Sequence, residues 1–280
     1  MPYHLFQMVE ELKKSSIIKT ALVTGAASGL GYELALLLAE DNYKLILVDL
    51  DSEGLEVVKT ELENKFNVEV LALIKDLSLP NIAQDIMSAV GNVPIDVLIN
   101  NAGFGLFGTF AETNWERESA MLHLHIMTTT HLTKLVLQGM VERGSGKILN
   151  MSSLAAFQPG PLMSIYYASK GYMLSFSEAI ANELKGTGVT VTALCPGPTK
   201  TAFQDTVTGT VSEGASDNKI KFNMGCAKTV AVYGYEAMLK GKTYAIPGRF
   251  NKFLSIIPRF MTRNATAALV RKIQAKNRAD

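Results

Sequence analysis

"TGAASGLG", residues 24–31, follows the β-branched run "TALVT" (20–24) without a break and opens "LGYELALLLAED" (30–41), a segment of helical period. A glycine-rich turn at that point does two things. Gly25 permits the tight reversal, while Gly29 and Gly31, with Ser28 before them and Leu30 between them, let backbone amides and the helix N-terminus approach a pyrophosphate whose charge the helix dipole favours. The spacing is GxxxGxG and differs from the GxGxxG dinucleotide fingerprint, and a turn that needs only flexible backbone would look similar. The surrounding chain therefore has to decide.

Outward from the turn, short β-branched runs alternate with longer helical stretches. "KLILVD" (44–49), "VEVLALI" (68–74), "IDVLIN" (95–100), "GKILNMS" (146–152), "VTVTAL" (189–194) and "TYAI" (243–246) have strand character, and most are apolar on both faces. Separated by helices such as "GYMLSFSEAIANELK", such runs predict a parallel sheet covered on both sides. The 280 residues, 48% of them hydrophobic, suffice for one large α/β domain. We place it at residues 1–248, with a polar, glycine-containing substrate flap at about 203–225 and an appendage at 249–280.

Cys195 and Cys226 are the two cysteines, and neither stands at metal-ligand spacing, so neither a disulfide framework nor a metal site is expected. Glu10 and Glu11 interrupt the N-terminus where a signal peptide would be apolar, and no run of about 18 apolar residues occurs, which predicts a soluble, cytoplasmic protein. The formal charge of +1 hides an asymmetry: residues 249–280 carry eight Lys or Arg against Asp280 alone, leaving nineteen basic and twenty-five acidic residues elsewhere. A basic tail on a mildly acidic body calls for no nucleic-acid partner.

The second strand run ends in Asp49, about 20 residues beyond the glycines, where a carboxylate can accept hydrogen bonds from the ribose hydroxyls of NAD and repel the extra phosphate of NADP. Leu50 and Ser28 stand where a compensating cation would be, so NAD is favoured over NADP. Asp49 and Asp51 could instead cap the helix that begins at Ser52. Further along, "SIYYASKG" (164–171) sets Tyr166 four residues and Tyr167 three residues ahead of Lys170, and both spacings share a helix face with the lysine.

"TGAASGLG", "NNAG" (100–103), a serine ahead of "YYASK", and "PGPTKT" (196–201) occur in the order seen in the classical short-chain dehydrogenase/reductases, which the chain resembles from about residue 17 to 202. The resemblance implies a Rossmann-type α/β fold, a doubly wound sheet of seven parallel strands with helices on both faces. It also implies a nicotinamide cofactor across the sheet's carboxyl edge and oxidation or reduction at an alcohol or carbonyl carbon. The family's YxxxK, with a serine 13 residues upstream, selects Tyr166, Lys170 and Ser153, and leaves Tyr167 as a packing or pocket residue. Physically, a tyrosine of pKa ~10 becomes a better proton shuttle when a cation stabilises its phenolate. Ser153 can donate to the substrate oxygen as charge develops there.

By the same resemblance Asp76 and Leu77 match the adenine-contacting pair, and Asn101, Ala102 and Gly103 the backbone beside the ribose. Pro196, Gly197, Thr199 and Thr201 match the loop that reaches the carboxamide. One position departs: His125 stands where the family has an asparagine that holds a water near the lysine. If the imidazole takes over that relay, its protonation should appear as an acid limb in the pH profile; a buried packing histidine is the other reading. Phe104, Phe107, Phe110 and "LAAFQPGPLM" (154–163) suit a lipophilic alcohol or carbonyl substrate. The apolar tail, broken by Pro258, is expected to close the pocket or pack in a homo-oligomer, or to touch an anionic membrane surface through its basic groups. Besides the oxidoreductase, two readings stay open: a dinucleotide-holding sensor with little turnover, and an epimerase or dehydratase, against which the glycine spacing argues.

Overall fold

The computed structural model describes residues 18–200 and 225–278. The strands β1 (Thr20–Thr24), β2 (Lys44–Asp49), β3 (Val70–Ile74), β4 (Val97–Asn100), β5 (Gly146–Met151) and β6 (Val189–Leu194) alternate with the helices α1 (Gly29–Glu40), α2 (Ser52–Phe66), α3 (Ile82–Val90), α4 (Trp115–Leu122), α5 (Thr129–Arg143) and α6 (Ser164–Glu183). A short β7 (Thr199–Lys200) pairs with β8 (Gly225–Cys226). Then come α7 (Ala227–Leu239), β9 (Tyr244–Ala245), α8 (Arg249–Ile256), a 3-10 turn (Ile257–Phe260) and α9 (Arg263–Arg278).

β-branched and leucine-rich runs make strands here because both faces are covered. Ala21 and Val23 of β1, with Leu45 and Leu47 of β2, face one core against α1, α2 and α7. The intervening Leu22, Ile46 and Val48 face a second core against α3 and α5. This alternation explains why the runs show no polar face. The seven parallel strands stand in the order β3-β2-β1-β4-β5-β6-β9, so the chain reverses direction of winding between β1 and β4. In a doubly wound sheet that switch opens a crevice beyond the carboxyl ends of the strands.

Asp51 caps α2, accepting from the Gly54 amide at 3.0 Å, and Asn114 caps α4 through the Arg117 amide at 2.9 Å. β3, β4 and β9 are each shorter than their apolar runs, although inter-strand bonds continue one residue before each, to the carbonyls of Glu69, Asp96 and Thr243. The segment between α4 and α5, whose apolar pattern reads as one continuous helix, contains a π-helical turn over His123–Thr128. Among the described residues no helix is long and apolar enough to cross a membrane, and no cluster of His, Cys, Asp and Glu could hold a metal.

Candidate active site at the sheet's carboxyl edge

The β1 turn is built by exclusion. Gly25 and Gly29 lie at φ 68° and 57°, and a Cβ on Gly25 would come within 2.8 Å of the Ala102 Cα. Asn101 locks the turn from the β4 side, donating through Nδ2 to the carbonyls of Thr24 and Gly25, both at 3.0 Å. Thr24 Oγ1 in return accepts from the amides of Asn101 (3.0 Å) and Ala102 (3.1 Å). Gly31 is buried away from the cavity wall, and a Cβ there would strike the Gly25 carbonyl; its lack of a side chain serves the packing of turn on helix. Ser28, at the N-cap of α1, makes no side-chain capping bond and the first turn carries no acid. The first residues of α1 thus meet the cavity with no acid of the helix's own first turn beside them.

Asp49 does not cap α2. Its Oδ2 accepts from the Ala27 amide at 2.9 Å, and its Oδ1 from the amides of Leu50 (2.7 Å) and Asp51 (3.1 Å), which fixes the carboxylate at the cavity rim. Asp76 accepts from the amide (2.9 Å) and hydroxyl (2.6 Å) of Ser78, and Leu77 is buried beside it, its carbonyl accepting from the Thr128 hydroxyl at 2.8 Å. Lys75, which spacing along the chain did not single out, lines the same end; its signal is its place directly after β3, whose end lies alongside Asp49.

Ser153, Tyr166 and Lys170 share the next stretch of wall. Ser153 follows β5 in extended backbone, and its Oγ accepts from the Ala155 amide at 3.1 Å, which leaves its O–H to donate. Neighbouring Ser152 is buried, its hydroxyl committed to the Lys170 carbonyl at 2.9 Å. Lys170 is buried one helical turn beyond Tyr166; its Nζ donates to the Met151 carbonyl at 2.9 Å and lies 5.7 Å from the centroid of the Tyr166 ring. Burial pulls its pKa down to about 8, because taking an ammonium out of water disfavours the charged form. Tyr167 lines the same cavity on the side of the roof, its ring edge-on to that of Tyr166 at 6.1 Å between centroids. Its ring lies against Gly160, where any Cβ would collide with it, and its hydroxyl accepts from Gln274 at 2.6 Å.

His125 is buried in the π-helical turn. Its Nε2 accepts from the Phe104 amide at 3.2 Å, which puts the proton on Nδ1, 2.9 Å from Ser169 Oγ; that hydroxyl donates onward to the Tyr166 carbonyl at 2.8 Å. Burial first, and the nearby Lys170 charge second, hold the imidazole pKa well below 6.5. Both effects weigh against the acid limb expected of a relay histidine and favour the packing reading, in which the ring ties the loop after β4 to α6. Gly103 must lack a Cβ to make room for it.

Pro196 and Gly197 continue the wall, and Thr199 turns its hydroxyl to the Gly197 carbonyl at 2.9 Å. Thr201 and almost all of the flap expected at 203–225 lie outside the described residues. At the far end Phe104 lines the cavity under the Arg117 guanidinium, 4.6 Å from its ring centroid, whereas Phe107 and the exposed Phe110 stand off the wall. The roof comes from the tail: Leu254 of α8, Ile257 of the 3-10 turn, Met261 directly after it, and Val270 and Gln274 of α9 cover a cavity of about 770 Å³. Their i, i+3, i+7 spacing is the signal that could have assigned an inward face to the tail.

A family model described as short chain dehydrogenase matches residues 19–211. The chain is 36% identical over 183 residues to a ketoacyl reductase of a Nostoc species, an alignment covering 64% of this chain and 63% of that protein, a little under two thirds of its length. It is 30% identical to the very-long-chain 3-oxoacyl-CoA reductase of Mus musculus over 86% of this chain and 76% of the mouse protein. The solved structure of a short-chain dehydrogenase from Sphingobium yanoikuyae, in complex with NADPH, superposes with a TM-score of 0.75 at 26% identity, covering 93% of this chain and 97% of that one. The motifs, the sheet and these matches agree: the chain belongs to the short-chain dehydrogenase/reductase family of oxidoreductases.

Proposed function

We propose that the protein interconverts a secondary alcohol and a carbonyl on a lipophilic small molecule, with NAD preferred as cofactor. The observation that carries this reading is one continuous wall: the glycine turn and Asp49 at one end, Ser153, Tyr166 and Lys170 in the middle, and an apolar roof at the other. The residues present fit a dinucleotide, since Gly25 and Gly29 provide a side-chain-free cradle, the α1 amides a phosphate site, and Asp49 a ribose acceptor. When bound, the nicotinamide would supply or accept the hydride.

This chain's own groups manage the oxygen. Tyr166 gives its hydroxyl proton to the carbonyl oxygen in reduction and takes it back in oxidation, while the Lys170 charge favours the phenolate left behind. Ser153 donates to the same oxygen as negative charge builds on it. The roof keeps water from the reacting carbon and offers apolar surface to the substrate. The Nostoc and mouse relatives, named as reductases of ketoacyl and 3-oxoacyl-CoA compounds, support a lipophilic carbonyl. The Sphingobium protein was captured with NADPH, so the preference for NAD rests on this chain's Asp49 and on Ser28 and Leu50 standing where a compensating cation would be.

Paired substitutions test the assignment. Tyr166→Phe should lower kcat by about a hundredfold or more on any alcohol or ketone that is turned over, with NAD affinity nearly unchanged, because only the proton-transferring hydroxyl is lost. Tyr167→Phe should keep most of the activity. The reverse pattern would move the proton transfer to Tyr167, and no turnover across a broad panel would favour a dinucleotide-holding sensor.

A further inference from the structure

The roof has a second face. While Leu254, Ile257 and Met261 look into the cavity, Phe253, Ile256 and Phe260 point the other way and are 61%, 47% and 86% exposed; Phe250, at the cavity rim, is 67% exposed. Large apolar side chains spaced 253, 256 and 260 form one stripe along α8 and the 3-10 turn, and solvent gains nothing from such a stripe. Arg249, Lys252, Arg259 and Arg263 are exposed along and beside it, and residues 249–278 contain no Asp or Glu. The rest of the chain is net acidic.

We propose that this outer face seats the molecule on an anionic lipid surface, so that the cavity roof itself is the membrane-contacting element. Resting on the reading of the site as one for a lipophilic substrate, it gives that substrate a route from the bilayer past α8 into the cavity. Aromatic and aliphatic groups enter the headgroup boundary and the flanking cations meet anionic lipid, as in interfacial helices that lie on a bilayer without crossing it. Charge decides against a second copy of this chain as the occupant. A two-fold contact through the stripe would bring together two copies of a segment with four exposed cations along it and no acid between 249 and 278 to pair them.

Flotation of the full chain, without substrate or cofactor, on phosphatidylcholine vesicles with and without phosphatidylglycerol tests the proposal. The protein should float with the phosphatidylglycerol vesicles at low salt, release as salt is raised, and stay behind with phosphatidylcholine alone. Phe253→Ser combined with Phe260→Ser, and separately Arg259→Gln with Arg263→Gln, should each weaken binding by about tenfold or more. Neither pair touches the cavity wall, so turnover of a short water-soluble ketone should persist in both, and an unchanged circular-dichroism melt shows that each is folded. Absence of wild-type binding, or equal binding by wild type and both variants, overturns the proposal. So does light scattering that shows a dimer abolished by the phenylalanine substitutions while vesicles stay unbound. Vesicle binding without turnover of any carbonyl would count against the oxidoreductase assignment and leave the lipid surface standing.

Discussion

Lys170 holds its ammonium almost wholly buried at the cavity wall, donating to the Met151 carbonyl. Its folded pKa of about 8 lies below the ordinary 10.5, because burial disfavours the charged form. The unfolded chain therefore holds this proton more tightly than the folded one. This group's burden on stability is full below pH 8 and is relieved as pH rises from about 8 to 10.5. On the proposed mechanism the position serves chemistry at the expense of the fold. Lys170→Met should abolish turnover yet leave the protein at least as stable at pH 7, with a gain of up to about 3 kcal/mol in a denaturant titration. That gain should shrink above pH 8 as the wild-type lysine loses its charge. A large loss of stability at pH 7 would mean that the bond to Met151 outweighs the burial, and that Lys170 is chiefly structural.

Between elements, the contact that closes the cavity is the one from Gln274 on α9 to the Tyr167 hydroxyl on α6. It fastens the roof beside the residue next to Tyr166. Gln274→Ala removes that part-buried bond, at about 0.5–1.5 kcal/mol. Hydrogen exchange in α9 should speed up, and KM for an apolar ketone should rise several-fold with kcat little altered, since Ser153, Tyr166 and Lys170 are untouched. Equal loss in kcat would show that the roof positions the reacting groups as well as enclosing them. This contact was invisible in the sequence for a physical reason: its partners are 107 residues apart, and no local periodicity records the pairing. What was legible is what local spacing encodes. The glycine turn and the strand-end carboxylate of Asp49 follow from short-range geometry, whereas spacing left Tyr166 and Tyr167 equal candidates for Lys170 and the family's YxxxK pattern chose Tyr166. His125 could be located by counting, but its bond to the Phe104 amide depends on a π-helical turn that no apolar pattern announces. That Phe104 reaches the cavity while Phe107 and Phe110 do not was not legible, because an aromatic side chain in a loop carries no directional signal.

Across the whole molecule, the crevice lies where the two halves of the sheet part, with β1 to β3 on one side and β4 to β6 plus the tail on the other. Protein bonds already cross it where Asn101 and Thr24 clasp the two turns. A dinucleotide lying along the wall would meet Asp49 and the α1 amides on one half and the groups around Lys170 and Gly197 on the other, so its binding free energy should add to the cooperative stability of the fold. By mass action a ligand at about one hundred times its Kd stabilises by about 2.7 kcal/mol, roughly 5 °C in Tm for a domain of this size. NADH should produce such a shift. NADPH at the same concentration should give less by about 1.4 kcal/mol, the equivalent of a tenfold weaker Kd, because its extra phosphate must approach the fixed Asp49 carboxylate. Lys75 stands at the same end of the cavity and supplies the one test of whether that repulsion is offset. Asp49→Ala should raise the NADPH shift towards that of NADH, and adding Lys75→Ala should lower the NADPH shift again while sparing NADH. Equal shifts with both cofactors in the wild type would mean that Lys75 neutralises Asp49 and that the enzyme uses either one.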